Sequence, residues 1–526
     1  MNFRTRIVSA FPHILWYPAI IIGMWLGFPN DVLQLPIMVL LWPLGLANLG
    51  WRSANRMSAL RTGWLCSLIG GVITLYWLTL PVHNVGGLPW LPAMGCAFFI
   101  STCITASGGL FCMAAYAWRC RSPWIQAVLL GLLWYLLEEL SGRVLGFPWL
   151  TIAGALAAFP LLVQAVDLIG AYALSGSWVT ITLLCHFGII AKQCRRGCLA
   201  AGFLLALLML CYGSYQLTAH RTDELTHDPH AIDVLFVEGN VEQNQKWVPR
   251  FQRHTVDLYL TLTEQALSSH PHKQPLILWP ETAMPFFFEE NRLYSPQIRA
   301  MVARHGHPLL LGTPGRDQTY GPEDASIYNR AVLLGKHGET VAHYDKIHLV
   351  PFGEYLPRWL NWEFLEALLQ GVGVYSEGTS SAPLRLDDLA LGVLICYEGI
   401  FPWLAQERVA KGANILVDIS NDGWFGNTPA ARQHLYLTTL RALEQNRWIL
   451  RGTNTGISAV VDTRGRLLLC GRQFCAQTLW GRAALVNKFS LYHCYAPWLP
   501  ILALILMTTI LLAAHFRHFA RPSPST

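Results

Sequence analysis

Leu391-Gly-Val-Leu-Ile-Cys396-Tyr397-Glu398-Gly399 runs five small or apolar residues into a cysteine, then a polar pair and a glycine, with Pro402 three positions on. The apolar run reads as a buried strand, and the proline suits the first turn of a following helix. A thiol at a strand-to-helix turn is held rigidly, beside backbone N–H groups able to bind an oxyanion. A helix N-terminus or a nearby cation would also favour its thiolate. The same residues read equally well as an ordinary buried strand end. Working outward, Ile232–Val237, Leu276–Trp279, Leu309–Leu311, Ala331–Leu334, Ile415–Ile419 and Ile457–Val461 are further strand-like runs. Thr255–Ala266, Glu289–His305 and Pro402–Lys411 have helical spacing. Strands alternating with helices over residues 228–487 predict a layered α/β domain.

The remainder of the 526 residues has another character. Only 13% of the chain is charged, against roughly 25% in soluble proteins, and 53% is hydrophobic. Intrinsic disorder is thereby excluded. Residues 228–490 hold 24 of the 38 Lys and Arg and 26 of the 32 Asp and Glu, so the positive excess sits in the apolar remainder and a basic nucleic-acid face is not implied. Seven apolar stretches precede the α/β region, at 13–29, 32–50, 62–82, 88–118, 123–140, 160–191 and 199–217, and an eighth covers 496–516. Each is read as a membrane span. Arg4 and Arg6 precede the first, but no small-residue cleavage site follows it, so it reads as an uncleaved anchor.

Loop charge sets the expected orientation. Arg4, Arg6, Arg52, Arg56, Arg61, Arg119, Arg121, Lys192, Arg195, Arg196, Arg517 and Arg521 fall on one side, and only Arg143 in the short loops opposite. Positive-inside reasoning puts both termini in the cytoplasm and residues 220–490 outside. Residues 143–192 are too long for one span. An extra crossing would break the charge pattern, so 143–165 is read as re-entrant or interfacial. The expected organisation is a membrane domain at 1–219, an exported catalytic domain at 220–490, and a final span with its tail at 491–526.

Nine of the 13 cysteines lie in or beside the spans, and without a matched C-x-x-C pair no metal site is predicted. Cys470 and Cys475 could be bridged or held apart. Two further segments bear on Cys396. Leu276-Ile-Leu-Trp-Pro-Glu281 puts a carboxylate just past a strand, and Tyr344-Asp-Lys346 puts a lysine in a loop after another. A carboxylate to take the thiol proton, an ammonium to stabilise a tetrahedral oxyanion and a cysteine to form a thioester make a workable constellation.

These segments resemble the Glu–Lys–Cys triad of the nitrilase, or carbon–nitrogen hydrolase, superfamily. More narrowly, the chain resembles the apolipoprotein N-acyltransferase family over nearly its full length. The runs that carry the resemblance are Gly146–Trp149, Trp279–Thr282, Lys346–Pro357, Ile395–Glu398, Ser420–Gly426 and Thr453–Ile457. It implies a polytopic α-helical membrane domain of about eight transmembrane helices with an exported nitrilase-like α-β-β-α sandwich. It further implies Glu281 as general base, Lys346 as oxyanion stabiliser and Cys396 as nucleophile. Glu354 would orient the lysine and thiol, Tyr397 and Glu398 would support the nucleophile with the Tyr397 N–H donating to the oxyanion, and Trp247 would stand on a loop at the entrance. The sequence departs from the family pattern around Pro81–Leu88 and Pro429–Arg432.

The implied reaction is ping-pong acyl transfer in the bacterial inner membrane. An acyl chain from the sn-1 position of a phospholipid, phosphatidylethanolamine being the expected donor, would pass through a Cys396 thioester to the α-amine of S-diacylglyceryl cysteine in an apolipoprotein. No metal or organic cofactor is implied. A membrane-anchored hydrolase using the same triad leaves eight spans without a purpose. A transporter with an exported binding domain would place ionisable residues in mid-membrane, where this sequence has Asp167 as its main exception.

Overall fold

The computed structural model describes residues 13–84, 86–191, 194–220, 231–317, 326–351, 353–355 and 375–519. Arg4, Arg6, Lys192 and Arg521 of the charge pattern, and Phe352, Leu356 and Pro357 of the lysine-bearing run, lie outside the described residues. The chain forms two compact units: one of Met1–Tyr76, Ala97–Ala219 and Ser490–Thr526, the other of Trp77–Cys96 and His220–Phe489.

Helices occupy all eight stretches expected as spans, but they do not all have span length. Trp90–Trp118, Val166–Ile190 and Arg195–Ala219 are long and apolar enough to cross a bilayer, and Arg56–Thr74 counted together with Tyr76–Asn84 makes a fourth. Among the described residues, three or four of the expected eight spans are thus met by length and composition. Trp16–Gly27 and Leu41–Arg52 have 12 residues each, about 18 Å of helix against about 30 Å of hydrocarbon. Pro29 cannot continue the first of them. Pro123–Leu140 carries Gln126, Glu138 and Glu139. Between Leu145 and Val166 the helices Ile152–Leu156 and Pro160–Val163 have five and four residues, too short to cross. Glu138 pins this segment, accepting from Trp134 Nε1 at 2.8 Å and from the Ile152 N–H at 3.0 Å. The helices Pro123–Leu140 and Val166–Ile190 meet where neither has a side chain. A Cβ on Gly176 would lie 2.4 Å from the Gly131 carbonyl oxygen, the small-residue contact typical of apolar helix pairs.

Among its described residues, the second unit is built on twelve strands in two sheets. One contains β1 (Ala231–Glu238), β2 (Leu276–Leu278), β3 (Leu309–Arg316), β4 (Ile327–Leu334) and β5 (Thr340–Asp345). The other contains β6 (Leu384–Leu386), β7 (Leu389–Ile395), β8 (Ile415–Ser420), β9 (Ile449–Thr453), β10 (Ala459–Val461) and β11 (Leu467–Cys470), while β12 (Gln477–Ala484) returns to pair with β1. The orders are β12-β1-β2-β3-β4-β5 and β11-β10-β9-β8-β7-β6. Within them β1-β2-β3 and β7-β8-β9 are parallel.

Alternation along the strands decides the layering. Val234, Phe236, Leu276, Leu278 and Leu310 from the first sheet share one core with Leu391, Val393, Ile395, Val417 and Leu450 from the second. The intervening residues Leu235, Val237, Ile277, Leu309 and Leu311 face the other way, onto helices Pro249–Ser269 and Ser295–His305. Helices Pro402–Ala410 and Ala430–Gln445 belong to the second sheet's side. The result is the α-β-β-α sandwich that the resemblance implies. The helix expected from Glu289 begins at Ser295, because the Asn291 side chain accepts from the N–H groups of Leu293 and Tyr294 and makes a turn first. Cys470 and Cys475 are free and exposed, so the bridged reading is set aside.

Candidate active site

Three strands deliver the three chemical groups. β2 ends at Leu278, and a tight turn through Trp279 and Pro280 carries Glu281, with Thr282 held at φ +48°. The turn lies on β3 at Gly312, where an added Cβ would sit 2.5 Å from the Thr282 nitrogen, so only glycine admits this approach. Lys346 follows β5 directly and is tied to β4 by its N–H to the Asn329 carbonyl at 2.9 Å. β7 ends at Ile395, and Cys396 opens a short 3₁₀ turn with φ +55°. That left-handed conformation is strained for a residue with a Cβ, so the surroundings must enforce it.

Glu398 supplies much of that enforcement. It is completely buried. One carboxylate oxygen accepts from the Ile347 and His348 N–H groups at 2.9 and 3.0 Å, the other from the Ile395 N–H at 2.8 Å, and the Tyr344 hydroxyl reaches both. One side chain therefore locks the lysine loop to the cysteine turn across the two sheets. Arg408 stands 3.4 Å away as counter-ion and also donates to the Tyr344 hydroxyl. From the other side, His434 Nε2 lies 3.2 Å from the Cys396 carbonyl oxygen and its Nδ1 lies 3.0 Å from Asp422. Arg451, fully buried on β9, bridges Asp418 and Asp422. Tyr397 packs its ring parallel to His348 and edge-on to Phe401.

Glu354 closes the constellation. Its oxygens lie 3.0 and 2.8 Å from Lys346 Nζ, and it accepts the Val350 N–H at 2.8 Å. Asn329 donates to Glu281 at 2.7 Å and to Glu354 at 2.8 Å, so one amide spaces the two carboxylates. The second Glu281 oxygen is buried and has no hydrogen-bond partner among the described residues. Glu281, Asn329 and Glu354 line a cavity of about 1200 Å³, as does Trp247, which is 45% exposed. This exceeds the roughly 300–1,000 Å³ of small-ligand pockets.

The electrostatics follow from burial. Cys396 is 9% exposed. Burial pushes its thiol well above the ordinary range, Glu281 adds to that, and Lys346 pulls back without offsetting it. The sulfur therefore rests as a thiol whose proton a base must take: the desolvation penalty, with Glu281 and Asp422 adding to it, exceeds the help of one ammonium. Burial also raises the Glu281 carboxyl, against the opposing pull of Lys346. For Lys346 burial works downward, but Glu354, Glu281 and Cys396 outweigh it and the ammonium is held above the usual lysine value. A neutral thiol, a carboxylate with one open oxygen and a permanent cation are the parts of a base-assisted nucleophile.

Cys396, Asp422 and His434 offer ligand atoms within 4.8 Å of one another. These donors do not suit a metal ion. The Arg451 guanidinium occupies Asp422 and lies 3.1 Å from His434 Nδ1, placing a buried positive charge against the ligand set. Sequence reasoning did not single out Asn329, Lys246, His434 or Arg451. The signal for His434 was polar Gln433, His434 and Arg441 inside a helix with almost no exposed face; Arg451, on β9, gave no such local signal.

Residues 242–479 match the Carbon-nitrogen hydrolase family, and residues 21–185 match the Apolipoprotein N-acyltransferase N-terminal domain. The apolipoprotein N-acyltransferase of Geobacter metallireducens is 32% identical over 452 residues, covering 83% of each chain. That of Pseudomonas syringae pv. tomato is 31% identical over 503 residues, covering 90% of this chain and 93% of its own. A carbon-nitrogen hydrolase structure from Helicobacter pylori G27 superposes with a TM-score of 0.36 at 16% identity, over 48% of this chain and 89% of its own. The chain belongs to the apolipoprotein N-acyltransferase family.

Proposed function

We propose that this enzyme moves an acyl chain from the sn-1 ester of a phospholipid, with phosphatidylethanolamine as donor, to the α-amine of the S-diacylglyceryl cysteine at an apolipoprotein N-terminus. Cys396 is the nucleophile, Glu281 the base and Lys346 the oxyanion-stabilising cation. The carrying observation is Glu281, a residue of the cavity lining with one buried oxygen that has no hydrogen-bond partner among the described residues, in the field of Lys346 and Cys396. Residues 1–219 and the segment from 491 act as the membrane platform, and 220–490 as the catalytic domain on the periplasmic side. Both termini lie in the cytoplasm.

In the first half, Glu281 takes the Cys396 proton as sulfur attacks the ester carbonyl. The oxyanion is stabilised by Lys346, whose Nζ has Glu354 as its hydrogen-bond partner among the described residues, and by the Tyr397 N–H. Collapse breaks the ester C–O bond, and Glu281 returns its proton to the departing lysophospholipid oxygen. In the second half the α-amine attacks the thioester and gives a proton to Glu281. Collapse breaks the C–S bond, the proton returns to Cys396, and the amide leaves. Glu354, Tyr397 and Glu398 position these groups, and Trp247 covers the cavity at the substrate side.

Intact-protein mass spectrometry tests this reading. Purified enzyme is incubated with phosphatidylethanolamine and then given a diacylated lipopeptide with a free α-amine. One acyl mass on Cys396, discharged as N-acyl peptide, is expected. Discharge by water alone would indicate a hydrolase, and absence of acylation from any phospholipid class would reject Cys396 as the lipid-directed nucleophile.

A further inference from the structure

Beside the constellation is a cation that the reaction as written does not use. Lys246 ends the short helix Gln243–Lys246, is 1% exposed and lines the cavity. It is the only lysine, arginine or histidine among the described residues of that lining. An ammonium has three donors, and among the described residues Lys246 Nζ makes one hydrogen bond, to the Glu281 main-chain carbonyl at 3.1 Å. A buried charge is normally paired or fully hydrogen-bonded, because removing it from water is otherwise costly. Here Glu281 gives Lys246 its main-chain carbonyl, while its carboxylate accepts from Asn329. A second polar group of the cavity lining is also unsatisfied: Thr455 Oγ1 is buried without a hydrogen-bond partner among the described residues.

The segment carrying Lys246 is firmly held. The Asn454 side chain bonds both the N–H and the carbonyl of Val241, and Asn421 donates to Gln243 at 2.7 Å. A rigid, desolvated ammonium with open donors, beside the general base, is a preformed site for an anionic oxygen.

We propose that Lys246, with the Thr455 hydroxyl, binds the phosphodiester of the acyl donor. This rests on the phospholipid-donor reading above. The phosphodiester is the anionic group shared by all glycerophospholipids, and it is attached to the same glycerol as the sn-1 ester that must reach Cys396. Seating it on Lys246 pairs the buried ammonium and orients the ester within one contact of Glu281. The charge on phosphorus then contributes to donor choice.

The experiment compares two acyl donors in the full-length enzyme in mixed micelles: phosphatidylethanolamine, and an uncharged 4-nitrophenyl ester of the same fatty acid. The rate of Cys396 acylation is read by quenched-flow intact mass. Lys246→Met is expected to lower kcat/KM for the phospholipid about 10- to 100-fold more than for the neutral ester, the worth of a hydrogen bond to a charged group. Lys246→Arg should restore most of the difference. An equal loss for both donors would mean that Lys246 only braces the Glu281 backbone, and would overturn the proposal. So would an unchanged ratio without loss. If the wild type is acylated by neither donor, the functional reading fails and takes this site with it. If it is acylated equally well by both, the phosphodiester site alone fails.

Discussion

Glu398→Gln separates a clamp from a spectator at this site. The carboxylate accepts three backbone N–H groups and a tyrosine hydroxyl and faces Arg408 at 3.4 Å. A glutamine has one acceptor oxygen. In its better orientation it keeps Ile347, His348 and Tyr344 and turns its NH₂ toward the Ile395 N–H, leaving that donor buried and unpaired at about 1–3 kcal/mol. Arg408 at the same time loses its anion, and breaking a buried pair from one side costs about 3–5 kcal/mol. The two costs overlap, so a total near 4 kcal/mol is expected. For activity, the bonds concerned join the Lys346 loop to the Cys396 turn, and a shift of about 1 Å between reacting groups costs on the order of 100-fold. The assay pairs thermal inactivation in detergent with quenched-flow acylation of Cys396. Tyr344→Phe serves as a control, since it removes the hydroxyl while keeping the three backbone bonds and the Arg408 pair. A Glu398→Gln enzyme within threefold of wild type in acylation rate, with an unchanged inactivation midpoint, would refute the clamp.

Arg451→Met should lower the inactivation midpoint by roughly 10 °C, because it leaves Asp418 and Asp422 buried without their cation; an unchanged midpoint would sink this account of the second sheet. The kcat/KM for acylation by phospholipid should rise with pH through the Glu281 ionisation, which burial raises above the ordinary carboxylate range. It should fall again above about 8, where Lys246, pulled down by burial, loses its proton. The falling limb belongs to the phosphodiester contact, so a neutral ester donor that shows it equally would argue against that contact. Gly176→Leu should separate the helices Pro123–Leu140 and Val166–Ile190, since its Cβ alone would press on the Gly131 carbonyl; the readout is loss of the folded, monodisperse enzyme on extraction.

The local signals in this sequence are those with short period. The short continuous apolar runs of β1, β3, β7 and β8 mark buried strands whatever surrounds them, and the apolar stretches of the first 219 residues stand out by composition. The positions of Glu281, Lys346 and Cys396 just past strand ends were legible for the same reason. The harder elements depend on partners distant in sequence. β9 carries Arg451 inside the sandwich, which makes sense only beside Asp418 and Asp422. The helix Ala430–Gln445 has no polar stripe because it is buried on nearly every side, so periodicity cannot reveal it.

Composition and motif order therefore determined the class of this protein: an apolar helical part, an α/β part and a thiol, carboxylate and ammonium each at a strand end. Tertiary structure alone decided what those groups experience. Hydropathy cannot foresee that helices end at 12 residues, nor spacing that Glu398 joins two loops from different sheets. Ionisation belongs to the same category. Whether Cys396 rests as thiol or thiolate depends on desolvation and on carboxylates and an ammonium brought in from elsewhere in the chain. Such through-space effects fall off over a few ångströms, distances that only the folded chain defines.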